Sequence, residues 1–217
     1  NFGSHSIRAT RPGGAGVNRS FLGYFENGRT LASIESIKWN RYSETGNDSY
    51  LNIFITNGIN AATIVYQPNT IIGSWNEFTF NSSTVGNLTI RINATSSNIT
   101  YQQLINLYGS WNVFNLPVGA DFIGGIVLVS GSSSPTAAQT HTFDGVKIKF
   151  SGEAEKFFDF VAPTVNPPAN VVCIDPFDDA FPAETHVKHM GGVITEIFEP
   201  KGLEIGIVPV PRSPNNV

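Results

Sequence analysis

The stretch from Asp121 to Phe150 limits the fold more tightly than any other part of this chain. Phe122-Ile123-Gly124-Gly125-Ile126-Val127-Leu128-Val129 is a near-continuous apolar run of strand length. It is closed by Ser130-Gly131-Ser132-Ser133-Ser134-Pro135, which no regular element absorbs. Phe143-Asp144-Gly145-Val146-Lys147-Ile148-Lys149-Phe150 then alternates, with Val146, Ile148 and Phe150 on one face and two lysines on the other. A run buried on both sides followed by a half-exposed strand predicts a central and an outer strand of a layered β structure.

The rest of the sequence supports that class. Only 14% of its 217 residues are charged, while Gly numbers 21 and Pro 13, a mixture suited to short strands and many turns. The net charge of −4 gives no electrostatic reason to bind nucleic acid or an anionic membrane. No apolar segment approaches the ~20 residues of a membrane span, so none is expected. The single cysteine, Cys173, rules out an internal disulfide and reads as a small buried hydrophobe. Asn18, Asn47, Asn81, Asn87, Asn93 and Asn98 each head an Asn-x-Ser/Thr acceptor pattern for N-glycosylation. Their crowding between Asn81 and Asn98 favours a solvent-facing surface and an extracellular or cell-surface location. The start at Asn1 rather than Met fits a signal peptide already removed.

Along the chain, a short strand is expected around Ser6 to Ala9. Ile37 and Trp39 mark a half-buried strand with Trp39 in the core. Tyr50-Leu51-Asn52-Ile53-Phe54-Ile55 and Ala62-Thr63-Ile64-Val65-Tyr66 read as antiparallel neighbours about Asn57-Gly58. Trp75 to Phe80 is another strand. Asn87 to Asn93 alternates with period two, with Leu88, Ile90 and Ile92 inward and both asparagines outward. Tyr101, Leu104, Ile105 and Tyr108 trace one helical stripe, capped by Thr100 with Gln103 three residues on and closed by Gly109. So short a helix needs packing, which an open end of the sandwich supplies.

Beyond Gly152 the character changes, and we divide the chain into a sandwich domain (1–152) and an extension (153–217). Pro163 to Pro168 reads as a stiff extended linker. Val193, Ile194, Ile197 and Phe198, then Leu203, Ile205 and Ile207, spell a β-hairpin about Glu199-Pro200-Lys201-Gly202. An isolated hairpin is marginal in water and needs a sheet to join, in its own chain or in another. Docking on a neighbouring copy makes the chain a subunit of a homopolymer.

Leu31-Ala32-Ser33-Ile34, Tyr50-Leu51-Asn52-Ile53, Tyr66-Gln67-Pro68 and Trp75-Asn76 together resemble secreted bacterial jelly-roll surface modules. The capped helix, Ile123 to Gly131 and Phe143-Asp144-Gly145-Val146 resemble the second half of that module, so the likeness runs from about Phe21 to Phe150. The resemblance implies a jelly-roll β-sandwich in an exported or surface protein, often ahead of a sorting tail, with no shared active site. The apolar segment and basic end of such a tail are not in this sequence.

Chemistry is sparse. There is no Gly-x-Ser-x-Gly turn, and Ser132 to Ser134 sit in a loop without a nearby base. Glu35, Glu44, Asp48, Glu77, Asp121 and Asp144 show no spacing that selects a carboxylate pair. His186 and His189, three apart, lack a placed third metal ligand. No cofactor is expected; calcium is the cation that Asn47, Asp48 and Asp144 suit best, without the spaced ligands of a dedicated loop. Trp75, Trp111, Tyr42 and Tyr66 are candidates for a sugar-stacking platform. These observations leave two classes: a non-enzymatic structural subunit of a surface layer or filament, and a carbohydrate-binding module facing surface polysaccharide.

Overall fold

The computed structural model describes residues 5–11, 20–46, 49–93, 95–118, 121–131, 138–158, 186–188, 196–198 and 204–209. The elements in chain order are β1 (His5–Arg11), β2 (Ser20–Tyr24), a 3-10 turn (Leu31–Ser33), β3 (Ile34–Thr45), β4 (Ser49–Thr56), β5 (Ala61–Tyr66), β6 (Trp75–Asn81), β7 (Leu88–Ile92) and β8 (Thr95–Asn98). The helix α1 (Tyr101–Tyr108) follows, then β9 (Asn112–Val113), β10 (Leu116–Val118), β11 (Asp121–Ile123), β12 (Ile126–Ser130), β13 (Gln139–Phe150), β14 (Lys156–Phe158), β15 (His186–Lys188), β16 (Glu196–Phe198) and β17 (Glu204–Pro209). The chain is all-β with one short helix, its main strands forming two antiparallel sheets face to face. The first runs β17-β1-β13-β3-β6, with β14 also on β13; the second runs β2-β12-β4-β5-β7-β8, with β9 on β4.

Leu51, Ile53 and Ile55 of β4, Ile126 and Leu128 of β12, and Ile37, Trp39, Phe143, Ile148 and Phe150 of the other sheet meet in one buried core. The continuous apolarity of 126–129 has a second cause. Val127 and Val129 point to the far side of the sheet, where with Phe54 they form a small outer cluster under Tyr50, Phe114 and Leu116. A strand covered on both faces has no polar positions to alternate with.

The apolar run is two strands, not one. Gly124 and Gly125 interrupt it, and β11 turns away to pair with β10. A methyl group at Gly124 would lie 2.6 Å from the backbone of Tyr24, and one at Gly125 would lie 2.7 Å from Val113. Only glycine admits the Tyr24 backbone and the Val113 side chain so closely. The next strand also differs from expectation: β13 is central, with β3 on one side and β1 and β14 sharing the other. Asp144-Gly145 forms a bulge on it, the ladder passing from Asp144 opposite Asn40 to Lys147 opposite Lys38. Gly145 takes the positive φ (56°) that this needs. The bulge moves the inward face from Phe143 to Val146, Ile148 and Phe150.

At the apolar end, α1 covers the opening between the sheets. Thr100 and Gln103 form the expected capping box, and Leu104 is fully buried. Tyr101 packs on Phe80 with centroids 5.5 Å apart. Gly109 follows in right-handed conformation, its N–H donating to the Ile105 carbonyl at 2.9 Å.

The C-terminal strands do not form the expected hairpin. Glu196–Phe198 pairs with His186–Lys188, while Glu204–Pro209 pairs antiparallel with β1, setting Ile205 opposite Ala9 and Ile207 opposite Ile7. β17 thus covers the outer edge of β1 over a ladder from His5 to Thr10, while β15 and β16 pair with each other over three residues. Val193, Ile194, Leu203 and the Pro163–Pro168 linker lie outside the described residues.

Gly124→Ala should cost about 1–3 kcal/mol, because backbone on both sides must shift to admit the methyl group. Denaturant unfolding checks this, and a loss under about 0.5 kcal/mol would show that the two strands separate freely.

Candidate functional sites

The end of the sandwich opposite the helix is polar inside. Arg41 and Ser43 occupy inward positions of β3, where the pattern set by Ile37 and Trp39 calls for apolar residues, and neither is exposed. The Arg41 guanidinium lies 4.5 Å from the Phe78 ring centroid, donates from Nη1 to the Ser49 carbonyl at 2.8 Å, and donates from Nη2 to Thr70 Oγ1. None of the ion pairs among the described residues includes it. Burial lowers its pKa to about 10, which still leaves it charged at neutral pH. Beside it, Ser130 Oγ and His141 Nδ1 are 2.7 Å apart. That is the spacing of a nucleophile and its base, but both residues are fully buried and present no surface to a substrate. The pair works as a hydrogen bond joining β12 to β13. Nothing in the sequence singles out this pair: Ser130 ends an apolar run, and His141 lies eleven residues further on.

The carboxylates are dispersed. Glu35 pairs with Lys149 at 2.7 Å, which holds its pKa below the usual range. Glu44 makes a two-pronged contact with Arg8 at 2.7–2.8 Å. Glu77 and Asp144 face Asn40 from opposite sides, about two strand spacings or roughly 10 Å apart. Asp144 is fully buried and accepts the Gly145 N–H at 2.6 Å, which supports the bulge. Asp48, Asn47 and His189 lie outside the described residues, as do the side chains of Asp121 and His186. Among the described residues, no three His, Cys, Asp or Glu side chains gather as a metal site would require.

The four aromatic candidates do not share a face. Tyr42 and Trp75 are cross-strand partners on the outward side of the first sheet, centroids 5.7 Å apart. Trp111 stands edge-on to Tyr108 at 5.2 Å beside the helix, where its carbonyl accepts the Leu31 N–H. The extended chain from Ile34 to Tyr42 separates these pairs by roughly 26 Å at ~3.3 Å per residue. Tyr66 packs against Trp39 and Phe80 and serves the core. Two half-buried pairs at opposite ends cannot grip one sugar.

Asn87, Asn93 and Asn98 are exposed, Asn81 is half-buried, and Asn18 and Asn47 lie outside the described residues. Asn87 and Asn93 are not strand positions as the alternation implies. They bracket β7, each at φ 48°, a left-handed conformation that asparagine tolerates better than most residues.

A groove crosses the outward face of the second sheet beside Asn87. Val65, Thr89 and Asn98 stand opposite one another across β5, β7 and β8, on the side away from buried Ile64 and Ile90. Gln67, Asn69, Thr70 and Asn87 flank this floor, and the open groove they border holds about 530 Å³. The Gln67 N–H donates to the Asn87 carbonyl at 3.1 Å, and Asn87 Nδ2 donates to Asn69 Oδ1 at 3.1 Å.

No protein-family model matches the chain, and no curated protein or solved structure matches it. No helix among the described residues is long and apolar enough to cross a membrane.

Tyrosine ionisation tests the apolar end. Burial, then the neighbouring Glu26 carboxylate, pushes the Tyr24 pKa far up, and burial raises those of Tyr66 and Tyr101. A folded pKa above the unfolded value of 10.0 gives stability that is complete below pH 10 and lost above it. Absorbance at 295 nm should show these phenols ionising above pH 10, later than an exposed tyrosine. Titration of every tyrosine near pH 10 in a still-folded protein would contradict this packing.

Proposed function

We propose that the chain is a non-enzymatic, extracellular structural module of jelly-roll type that joins copies of itself into a surface layer or filament. The observation that carries the reading is the pairing of β17 with the edge of β1. Residues 159–203 separate β17 from β14, and at ~3.3 Å per residue their contour is on the order of 150 Å, ample to reach a neighbouring molecule. The contacts of β17 on β1 are the same whether strand and edge belong to one molecule or two. Effective concentration then decides between closed monomer and exchanged assembly. Support for the jelly-roll wrapping comes from the two successive strand pairs that change sheets. β3 leads to β4 and β12 to β13, with β3 on β13 and β4 on β12, as in a ribbon rolled around a core. Exposed acceptor asparagines at both ends of β7 support an extracellular surface.

Light scattering across a concentration series should show the full chain forming oligomers that the chain ended at residue 203 does not form. A full chain that is monomeric throughout, or a shortened chain that still assembles, would overturn the proposal.

A further inference from the structure

We propose that the groove over Val65, Thr89 and Asn98 binds an uncharged, hydroxyl-rich ligand, a segment of neutral oligosaccharide. This rests on the groove alone and is independent of the assembly reading. Its walls carry the amides of Gln67, Asn69, Asn87 and Asn98 and the hydroxyls of Thr70 and Thr89, with no charged side chain among the lining residues. Beside the bonds from Asn87 to Asn69 and from Arg41 to Thr70, the amides and hydroxyls retain donors and acceptors for a ligand. That complements a sugar ring, whose hydroxyls donate and accept in adjacent pairs. An anion would meet no lining cation, because the buried Arg41 fork behind Thr70 already engages Thr70 and the Ser49 carbonyl. A cation would meet no lining carboxylate, and an apolar ligand would find a mostly polar surface.

The walls are held in place before any ligand arrives. Thr70 is anchored from below by Arg41, Pro68 is buried, and the bond from Gln67 to the Asn87 carbonyl ties the loop to the start of β7. Arg91 in the next row of the sheet turns to Ser96, its Nε 3.1 Å from the hydroxyl, and does not line the groove. At about 530 Å³ the space lies within the range of small-ligand sites. With no aromatic ring in the lining, affinity depends on hydrogen bonds, so weak binding is expected.

The test is an amide-resolved NMR titration of the full chain, made in a host that does not glycosylate, with neutral gluco-, manno-, galacto- and chito-hexaoses. Shifts are expected at Gln67 to Thr70, Asn87, Thr89 and Asn98 with at least one series. Asn69→Ala and Asn98→Ala, both exposed and remote from the core, should each weaken binding about tenfold, the worth of one well-made hydrogen bond. No shift with any series, shifts centred on Trp75 or Trp111 instead, or equal response to inorganic phosphate or an acidic oligosaccharide would each overturn the proposal. A glycan found on Asn87 or Asn98 of native protein would also overturn it, since the groove would then hold the chain's own sugar.

Discussion

The ladder between β3 and β13 is the constraint on which the rest of the structure depends. Both strands are twelve residues long, and both are inner strands of the same sheet rather than edges. β6 hangs on one flank, β1 and β14 on the other, and β17 reaches the sheet only through β1. The ladder survives that length because its register breaks between Thr140 and His141, Asp144 and Lys147, and Lys149 and Phe150. Bulges let a long antiparallel pair twist and coil around a core. Without Gly145 in the left-handed region, Val146, Ile148 and Phe150 would face outward and Lys147 and Lys149 inward.

Along that ladder the interior changes character. At the start of β3, Leu31, Ile34, Phe150 and Leu104 fill the space between the sheets, and a helix closes it. At the far end, Arg41, Ser43, Ser49, Ser130 and His141 take the same inward positions. Burying polar groups costs least where they find partners: here Arg41 bonds a carbonyl and a hydroxyl and Ser130 meets His141, while Arg41 Nε and the Ser43 and Ser49 hydroxyls have no partner among the described residues. That end therefore gains directional bonds where the other gains apolar burial.

This division explains what the sequence made legible. Apolar alternation found β4, β5, β6, β7 and the inward face of β13, and local capping chemistry found the helix, because each signal lies within a few adjacent residues. Arg41 and His141 were not legible, since an inward polar residue in a strand looks the same as an outward one. The break at Gly124-Gly125 was hidden because nothing local shows that the backbone of Tyr24 passes so near. The fate of β17 was hidden for a related reason. Ile205 and Ile207 announce a strand, and Pro200 with Gly202 offers a nearby turn, but the choice of partner depends on the free edge of β1 at the other end of the chain. The groove was invisible as well: Gln67, Asn69, Asn87 and Asn98 read as turn and acceptor residues until the β5–β7–β8 registers bring them to one face.

The placement of these features keeps the two proposed surfaces apart. β17 lies at the outer flank of the first sheet, past β1, while the groove lies over β5, β7 and β8 in the second. The chain passes from β5 to β6 and back to β7, which sets the groove flank beside β6, at the opposite end of the first sheet from β17. A neighbour engaged at β1 would thus meet the flank away from Asn69 and Asn98. β8 closes the groove flank with four residues, Thr95 to Asn98, all exposed and polar. A strand that short and hydrophilic is a poor template for further pairing. One flank therefore has the register to take a strand, and the other presents amides and hydroxyls to solvent.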